Sequence, residues 1–356
     1  MTGAPPRPHG APPPITLGEP AAQPENRVLI PTHGRTPALP TSDRIWDFAG
    51  ETMGTTWAVR LVPPAGLDRA GFQTAIEEEL AAIIALFSHW DATSELARFN
   101  AAPPGFWAVS EPFWDLLNRA LDLADDTNGS VDPTLGALVD LWGFGPQGPR
   151  PDVPSDDEIT AALSVSGWGA LRLNREARAV QQPGGLKLDL SGIAKGHAVD
   201  RVSERLTALG AVQHLVEIGG ELRGAGVKPG GHPWWVELQQ APGTPAPRTA
   251  AALFDMAVAT SGDWVRRFES GGRIYSHTID GGTGRPVDNG VASVTVLAET
   301  ALYADAMATA LTVMGRYDGP AYADALNIAA AFVVRTETGL IEIVSPAFAA
   351  MAAEGA

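Results

Sequence analysis

The chain has 356 residues, 45% hydrophobic and 19% charged, with a formal net charge of −16 and a pI near 4.8. That length can bury a sizeable core, and the acidic balance argues against nucleic acid or an anionic membrane as the main partner. With no cysteine present, disulfides, thiol nucleophiles, zinc–thiolate sites and a lipid-anchored cysteine are excluded.

In chain order, residues 1–44 are rich in Pro and Gly and read as a disordered or extended arm, with the patterned domain spanning 45–350. Thr55–Leu61 alternates as a strand should. Phe72–Phe87 and Glu111–Asp125 carry apolar residues at helical spacing, the latter closing at Asn128-Gly129. Helices are expected at Leu135–Trp142 and Asp156–Ser164, then strands near Leu171–Leu173 and Ala179-Val180, then a helix over Ile193–Leu209. Strands follow at His214–Ile218, Trp234–Leu238, Ala252–Ala259, Ile274–Ile279 and Ala292–Ala298, with a helix at Ala301–Met314 and strands at Ala329–Val334 and Ile341–Val344. Helices and strands mix without a regular βαβ rhythm, which favours an α+β fold over a doubly wound sheet. No apolar run reaches transmembrane length and the start lacks a secretory pattern. As written the chain therefore reads as cytoplasmic, without membrane insertion, or as periplasmic if its start is trimmed or misassigned.

Three segments carry chemistry. Asp305 and Thr309 stand four residues apart in a helix-prone run, so both oxygens share one helical face. Hard oxygen donors of this kind suit Mg²⁺, which keeps waters and completes its shell with substrate phosphate. His277 lies between turn-prone and β-prone residues, and Leu188–Gly196 pairs a strand-like start with small residues and the cation Lys195. Together they suggest phosphoryl-type transfer. Taken singly, each has a structural reading that outweighs the functional one: a packed threonine, a hydrogen-bonded histidine, a solvated lysine, a core tryptophan at Trp90. Asp132-Pro133-Thr134 alone is an N-cap followed by Pro. Common nucleotide-binding and hydrolase signatures are absent, and Gly219-Gly220 alone reads as turn punctuation.

In combination and in order, these segments resemble the ApbE family, the FAD:protein FMN transferases. The resemblance runs through Glu51–Thr56, Ser94–Asn100, Val131–Thr134, Leu141–Gly145, Leu188–Gly196 and Val216–Glu221. It continues through Ala259–Asp263, Ser276–Asp280, Thr283–Pro286, Ser293–Val296 and Ala304–Ala306, covering about residues 48–350. It implies a single α+β catalytic domain of mixed sheets and helices, two intertwined α/β subdomains. It also implies a Mg²⁺-dependent enzyme that splits FAD, attaches FMN as a phosphoester to a Thr or Ser hydroxyl of a target flavoprotein, and releases AMP. Positions matching Asp305, Thr309 and the Gly192 carbonyl would hold the metal. Those matching Met53, Trp90, Ser130, Val131, Asp132, Asp189, Lys195, His277 and Ile279 would contact FAD, with His277 as acid/base beside the acceptor hydroxyl. Many members carry tyrosine where Trp90 stands; tryptophan keeps the stacking surface and loses the hydroxyl donor.

The chemistry accommodates this reading. Pyrophosphate cleavage needs charge neutralisation, which Mg²⁺ and Lys195 could supply. A hydroxyl nucleophile needs a base that works near neutral pH, as histidine does. A FAD pyrophosphatase releasing FMN and AMP from the same site, and a non-catalytic flavin-binding protein, are the competing expectations.

Overall fold

Eight strands join into one antiparallel sheet whose two faces are both covered, so that residues 256–259, 291–297 and 329–334 are each buried consecutively. The computed structural model describes residues 26–32, 38–66, 68–263, 267–270 and 272–353. Its strands, in chain order, are β1 (Asn26–Leu29), β2 (Trp46–Thr52), β3 (Thr55–Leu61), β4 (Gly105–Ala108), β5 (Leu173–Asn174), β6 (Ala179–Gln182), β7 (His214–Ile218), β8 (Glu221–Ala225) and β9 (Trp234–Glu237). They continue as β10 (Arg248–Leu253), β11 (Met256–Gly262), β12 (Arg267–Ser270), β13 (Arg273–Ser276), β14 (Ile279–Asp280), β15 (Arg285–Pro286), β16 (Val291–Ala298), β17 (Ala329–Thr336) and β18 (Gly339–Val344). The helices are α1 (Arg69–Phe87), α2 (Glu95–Asn100), α3 (Glu111–Asp126), α4 (Gly136–Leu141), α5 (Asp156–Ser164), α6 (Ser191–Ala208), α7 (Ala301–Ala325) and α8 (Pro346–Ala353). The mixture is α+β, as the sequence pattern implied.

The main sheet runs β18-β17-β16-β11-β8-β7-β3-β2. Alternation decides what each face buries. Val216, Ile218, Ala257, Ala259, Val294 and Val296 point to one side and join the main core with α1, α6 and α7. Leu215, Leu222, Val258 and Leu297 point to the other, against α8 and the small sheet β1-β10-β9. Of the arm expected over 1–44, the described part includes β1, which pairs in parallel with β10; residues 1–25 and 33–37 lie outside the described residues.

A third cluster, Leu135, Leu138, Trp142, Ile159 and Ile279, forms a satellite core. Trp142 fastens it by donating its indole N–H to the Gly284 carbonyl at 2.8 Å. This small core supports the segment that bears His277, while the main core supports α6 and α7.

Four expected elements differ from those observed. The strand expected over Ala252–Ala259 is two, β10 and β11 in different sheets, because Asp255 adopts left-handed backbone (φ 50°) between them. The strand expected over Ile274–Ile279 breaks after Ser276, whose hydroxyl accepts the Thr278 N–H at 3.2 Å and bends the chain at His277. The helix expected over Ala301–Met314 does break at Gly315 (φ 84°), but a second helical run containing Pro320 follows it to Ala325. Near Leu171 the chain makes a 3₁₀ turn at Trp168–Ala170 and only then the short strand β5.

Candidate active site

The N-terminal halves of α6 and α7 cross closely enough that a side chain on Gly196 would meet Asp305: an added Cβ would lie 2.8 Å from the Asp305 Cβ. Glycine here permits close approach of two helices. Across that contact Asp305 Oδ2 accepts the Gly196 backbone N–H at 2.9 Å. In an α-helix that N–H serves the carbonyl four residues earlier, which is Gly192. One turn above Asp305, Thr309 faces Gly192, its Oγ1 3.6 Å from where a Gly192 Cβ would stand. Asp305, Thr309 and Gly192 are therefore neighbours at the crossing.

The stitch is reciprocal. Asp200, one turn beyond Gly196 on α6, accepts the Ala301 and Leu302 N–H groups of α7, each at 2.9 Å. These are otherwise unpaired donors of a helix N-terminus. Asp200 also receives Arg223 Nη1 of β8 at 2.6 Å, which balances its buried charge.

Beside this crossing Lys195 donates to Glu221 Oε1. Glu221 is only 2% exposed, and its Oε2 has no hydrogen-bond partner. Burial pushes the Glu221 carboxyl up from its ordinary range, against the pull of Lys195 and with the push of Asp305. Burial likewise raises Asp305, again against Lys195. The Lys195 stem passes the turn at Gly219, where Thr55 also packs. Thr55 follows the β2–β3 hairpin loop, whose two residues Met53 (φ 49°) and Gly54 (φ 71°) both have positive φ, as a type I′ turn requires. Met53 thus stands one residue from the Lys195 wall.

Upstream of α6, Asp189 Oδ1 caps the Ser191 N–H at 2.7 Å and lies 3.7 Å from His89 Nδ1. The adjoining Trp90 ring is 54% exposed and meets His89 edge-on at 5.4 Å. The Asp189 N–H in turn bonds to the Pro133 carbonyl at 2.8 Å, bringing in the Asp132 turn. Asp132 Oδ1 accepts both the N–H and hydroxyl of Thr134, a local closure that aspartate favours, and burial raises its pKa. A Cβ on Gly281 would sit 3.8 Å from Asp132 Oδ2, which joins this turn to the loop after His277. The His277 ring meets Phe144 edge-on at 6.4 Å.

The predicted residues thus fall into two groups, Lys195 beside the Gly219 turn near the hairpin that carries Met53, and Asp189 joined through Pro133 to the Asp132 turn and the loop after His277. Two of them direct their side chains elsewhere: Val131 and Ile279 are buried in the main and satellite cores. Ser130 is half-buried. A cavity of about 340 Å³ lies beyond the Gly219 turn, lined by Thr55, Glu217, Gly220, Leu222 and Thr260. None of the predicted residues lines it, and Leu222 and Val258 place it on the face of the second core. The chemistry-bearing groups sit on the helix side.

Sequence reasoning passed over Glu221 and Asp200. The signal for Glu221 was a carboxylate at a strand position whose neighbours alternate inward. For Asp200 it was spacing: four residues after Gly196, it shares the face that meets α7.

Among the described residues no three His, Cys, Asp or Glu side chains converge on a metal position. The expected donors, one carboxylate, one hydroxyl and one backbone carbonyl, are all hard oxygens and would suit Mg²⁺, which takes few protein ligands, better than zinc, whose sites are built mainly from histidine and cysteine. The partnerless Glu221 oxygen next door also marks a neighbourhood short of positive charge.

An α+β scaffold built on one eight-stranded antiparallel sheet, with two helices crossing over one of its faces, defines the structural class. The chain belongs to the ApbE family, whose model matches residues 53–332. It is 39% identical over 309 residues to the FAD:protein FMN transferase of Vibrio cholerae, covering 85% of this chain and 91% of that one. The Salmonella typhimurium FAD:protein FMN transferase is 34% identical, covering 84% and 87%. Among solved structures, the apo form of Pseudomonas stutzeri flavinyl transferase ApbE superposes with a TM-score of 0.81 at 36% identity, covering 87% of this chain and 97% of that one. No helix among the described residues is long and apolar enough to cross a membrane.

Proposed function

We propose that the chain is a FAD:protein FMN transferase that works with Mg²⁺ and esterifies a Thr or Ser hydroxyl of a target flavoprotein. Its relatives are named FAD:protein FMN transferases, which supports the transfer of FMN from FAD to a protein. The observation that carries the residue assignment is the α6–α7 crossing, where Asp305 meets Gly196 and Thr309 meets Gly192. Bound there, Mg²⁺ would neutralise phosphate oxygens and make the phosphorus more electrophilic.

The chain's own groups divide the rest. Asp305, Thr309 and the Gly192 carbonyl hold the cation. Lys195 faces the diphosphate and stabilises negative charge that grows on the leaving side. His277 takes the proton of the acceptor hydroxyl as its oxygen bonds to the FMN phosphorus. The bond from that phosphorus to the bridging oxygen breaks, and AMP leaves with that oxygen. Trp90, Met53, the Ser130–Asp132 turn, Asp189 and the Ile279 segment border FAD. The exposed Trp90 ring offers it a stacking surface. The catalytic domain is assigned to 45–350, preceded by the arm.

The test is mass spectrometry of an acceptor flavoprotein incubated with the chain, FAD and Mg²⁺, with an EDTA control. A metal-dependent FMN adduct on one Thr or Ser is expected. FMN and AMP in solution without adduct would replace transfer by hydrolysis. Neither product, with competent acceptors and several divalent metals, would reduce the chain to a flavin binder.

A further inference from the structure

We propose that Glu221 is a positioning residue: it commits the Lys195 ammonium to itself and so keeps Asp305 available to a divalent cation. The inference rests on reading Asp305 as a metal ligand. It begins from a count of charges. Two buried carboxylates, Asp305 at 6% and Glu221 at 2% exposure, meet α6 at adjacent residues, Glu221 taking the Lys195 ammonium and Asp305 the Gly196 N–H. Two negative groups against one positive leave a formal excess of one negative charge, which a low-dielectric site tolerates poorly.

Geometry says where the ammonium goes. Lys195 forms its ion pair with Glu221 Oε1, from the residue just before Gly196, while Gly196 itself supplies the backbone donor that orients Asp305. The excess charge is thereby assigned to the carboxylate that has further hard donors beside it, the Thr309 hydroxyl and the Gly192 backbone. The alternative pairing, ammonium on Asp305, would place a monovalent cation in the metal's position.

The partnerless Glu221 Oε2 supports this division of roles. A purely structural buried carboxylate is held at both oxygens, since an unmade bond in the interior is costly. Glu221 is held at one.

Paramagnetic resonance of Mn²⁺, read as loss of the free-ion signal on titration with the intact chain, tests this without turnover. Glu221→Gln keeps the volume and removes the charge. The released ammonium should then compete for Asp305 and weaken Mn²⁺ binding by about tenfold, the scale of coupling within one charged network. Removing the competitor in Glu221→Gln/Lys195→Met should restore affinity to that of Lys195→Met alone.

Unchanged Mn²⁺ affinity in Glu221→Gln overturns the proposal. So does a loss that Lys195→Met fails to reverse, which would make Glu221 a source of field or a ligand. Should Glu221→Gln not fold, Glu221→Asp withdraws the charge by one methylene and should weaken Mn²⁺ in the same direction; no change there is equally fatal. Asp305→Ala separates the levels. If it binds Mn²⁺ as wild type does, the metal assignment itself fails, and with it this inference. If it abolishes binding while Glu221→Gln leaves it intact, only the inference fails.

Discussion

Asp305 on α7 accepts the backbone N–H of Gly196 on α6 at 2.9 Å, so a side chain expected to bind a cation is oriented by the neighbouring helix. Asp305→Asn keeps an acceptor oxygen for that bond and removes the charge. The fold should survive, and turnover should fall roughly 10²–10⁴-fold, several kcal/mol of lost transition-state stabilisation. Steady-state FMN transfer measured across a Mg²⁺ titration reads this, and wild-type rates in the variant would disprove the metal role.

Gly196→Ala probes the same contact from the other helix. The added methyl would fall 2.8 Å from the Asp305 Cβ, well inside ordinary contact, so α6 and α7 must part. Overpacking of this kind costs about 1–3 kcal/mol. The substitution should lower the unfolding midpoint and weaken metal binding together. A variant with native stability and native metal affinity would show that the crossing is looser than this contact requires.

Asp200 secures the crossing one turn away. Asp200→Ala removes the acceptor for the Ala301 and Leu302 N–H groups and leaves Arg223 without its counter-ion. Breaking a buried pair by deleting one partner typically costs about 3–5 kcal/mol. Chemical denaturation should show a loss of that order, and hydrogen exchange should locate it at the first turn of α7. Protection elsewhere in the sheet should fall only in proportion to global stability.

His277 lies at a bend supported by the satellite core. His277→Ala should leave FAD binding near wild type while slowing transfer by about 10²–10⁴, the range for losing a general acid or base. Trp142→Phe, which deletes the indole bond to the Gly284 carbonyl, should loosen the same segment without touching the proton-transfer group. Flavin fluorescence titration and single-turnover rates separate the two effects. An undiminished rate in His277→Ala would demote it to a structural residue.

What the sequence disclosed and what it hid follow from how local each signal is. Period-two burial announced Thr55–Leu61 and His214–Ile218, and the four-residue step from Asp305 to Thr309 put both on one face of α7. These are properties of a few adjacent residues. The break at Asp255 was not legible, because it depends on one residue in left-handed backbone between two sheets. The helix ends at Gly315 as its sequence indicates, and what stayed hidden was the second helical run beyond that kink, because Gly and a following Pro320 usually signal a loop. Partnerships such as Lys195 with Glu221 and Asp200 with Ala301 join segments 26 and 101 residues apart. Motif order hinted at such meetings, but only folding specifies them.

His214 supplies a prediction that is independent of catalysis. It is fully buried beneath α6, with Nδ1 2.7 Å from the Ala211 carbonyl and Nε2 2.7 Å from Ser203 Oγ. The carbonyl can only accept, so Nδ1 carries the proton and Nε2 accepts from the serine hydroxyl. Burial then holds its pKa down to about 4, well below the ordinary value of 6.5. The unfolded chain takes up a proton near pH 6.5, whereas the folded chain does so only near pH 4. Over that interval the unfolded state binds more protons at this residue, so the contribution of His214 to stability falls as pH falls. Above about pH 7 neither state is protonated there and His214 contributes no slope. The full effect at pH 4 is roughly 3 kcal/mol, from about 1.4 kcal/mol per pKa unit. His214→Gln should lower stability at pH 7.5 and flatten the slope between pH 6.5 and 4.5 relative to wild type. Denaturation midpoints of both proteins at four pH values suffice, and parallel curves would show that His214 titrates in the folded protein as it does in the unfolded chain.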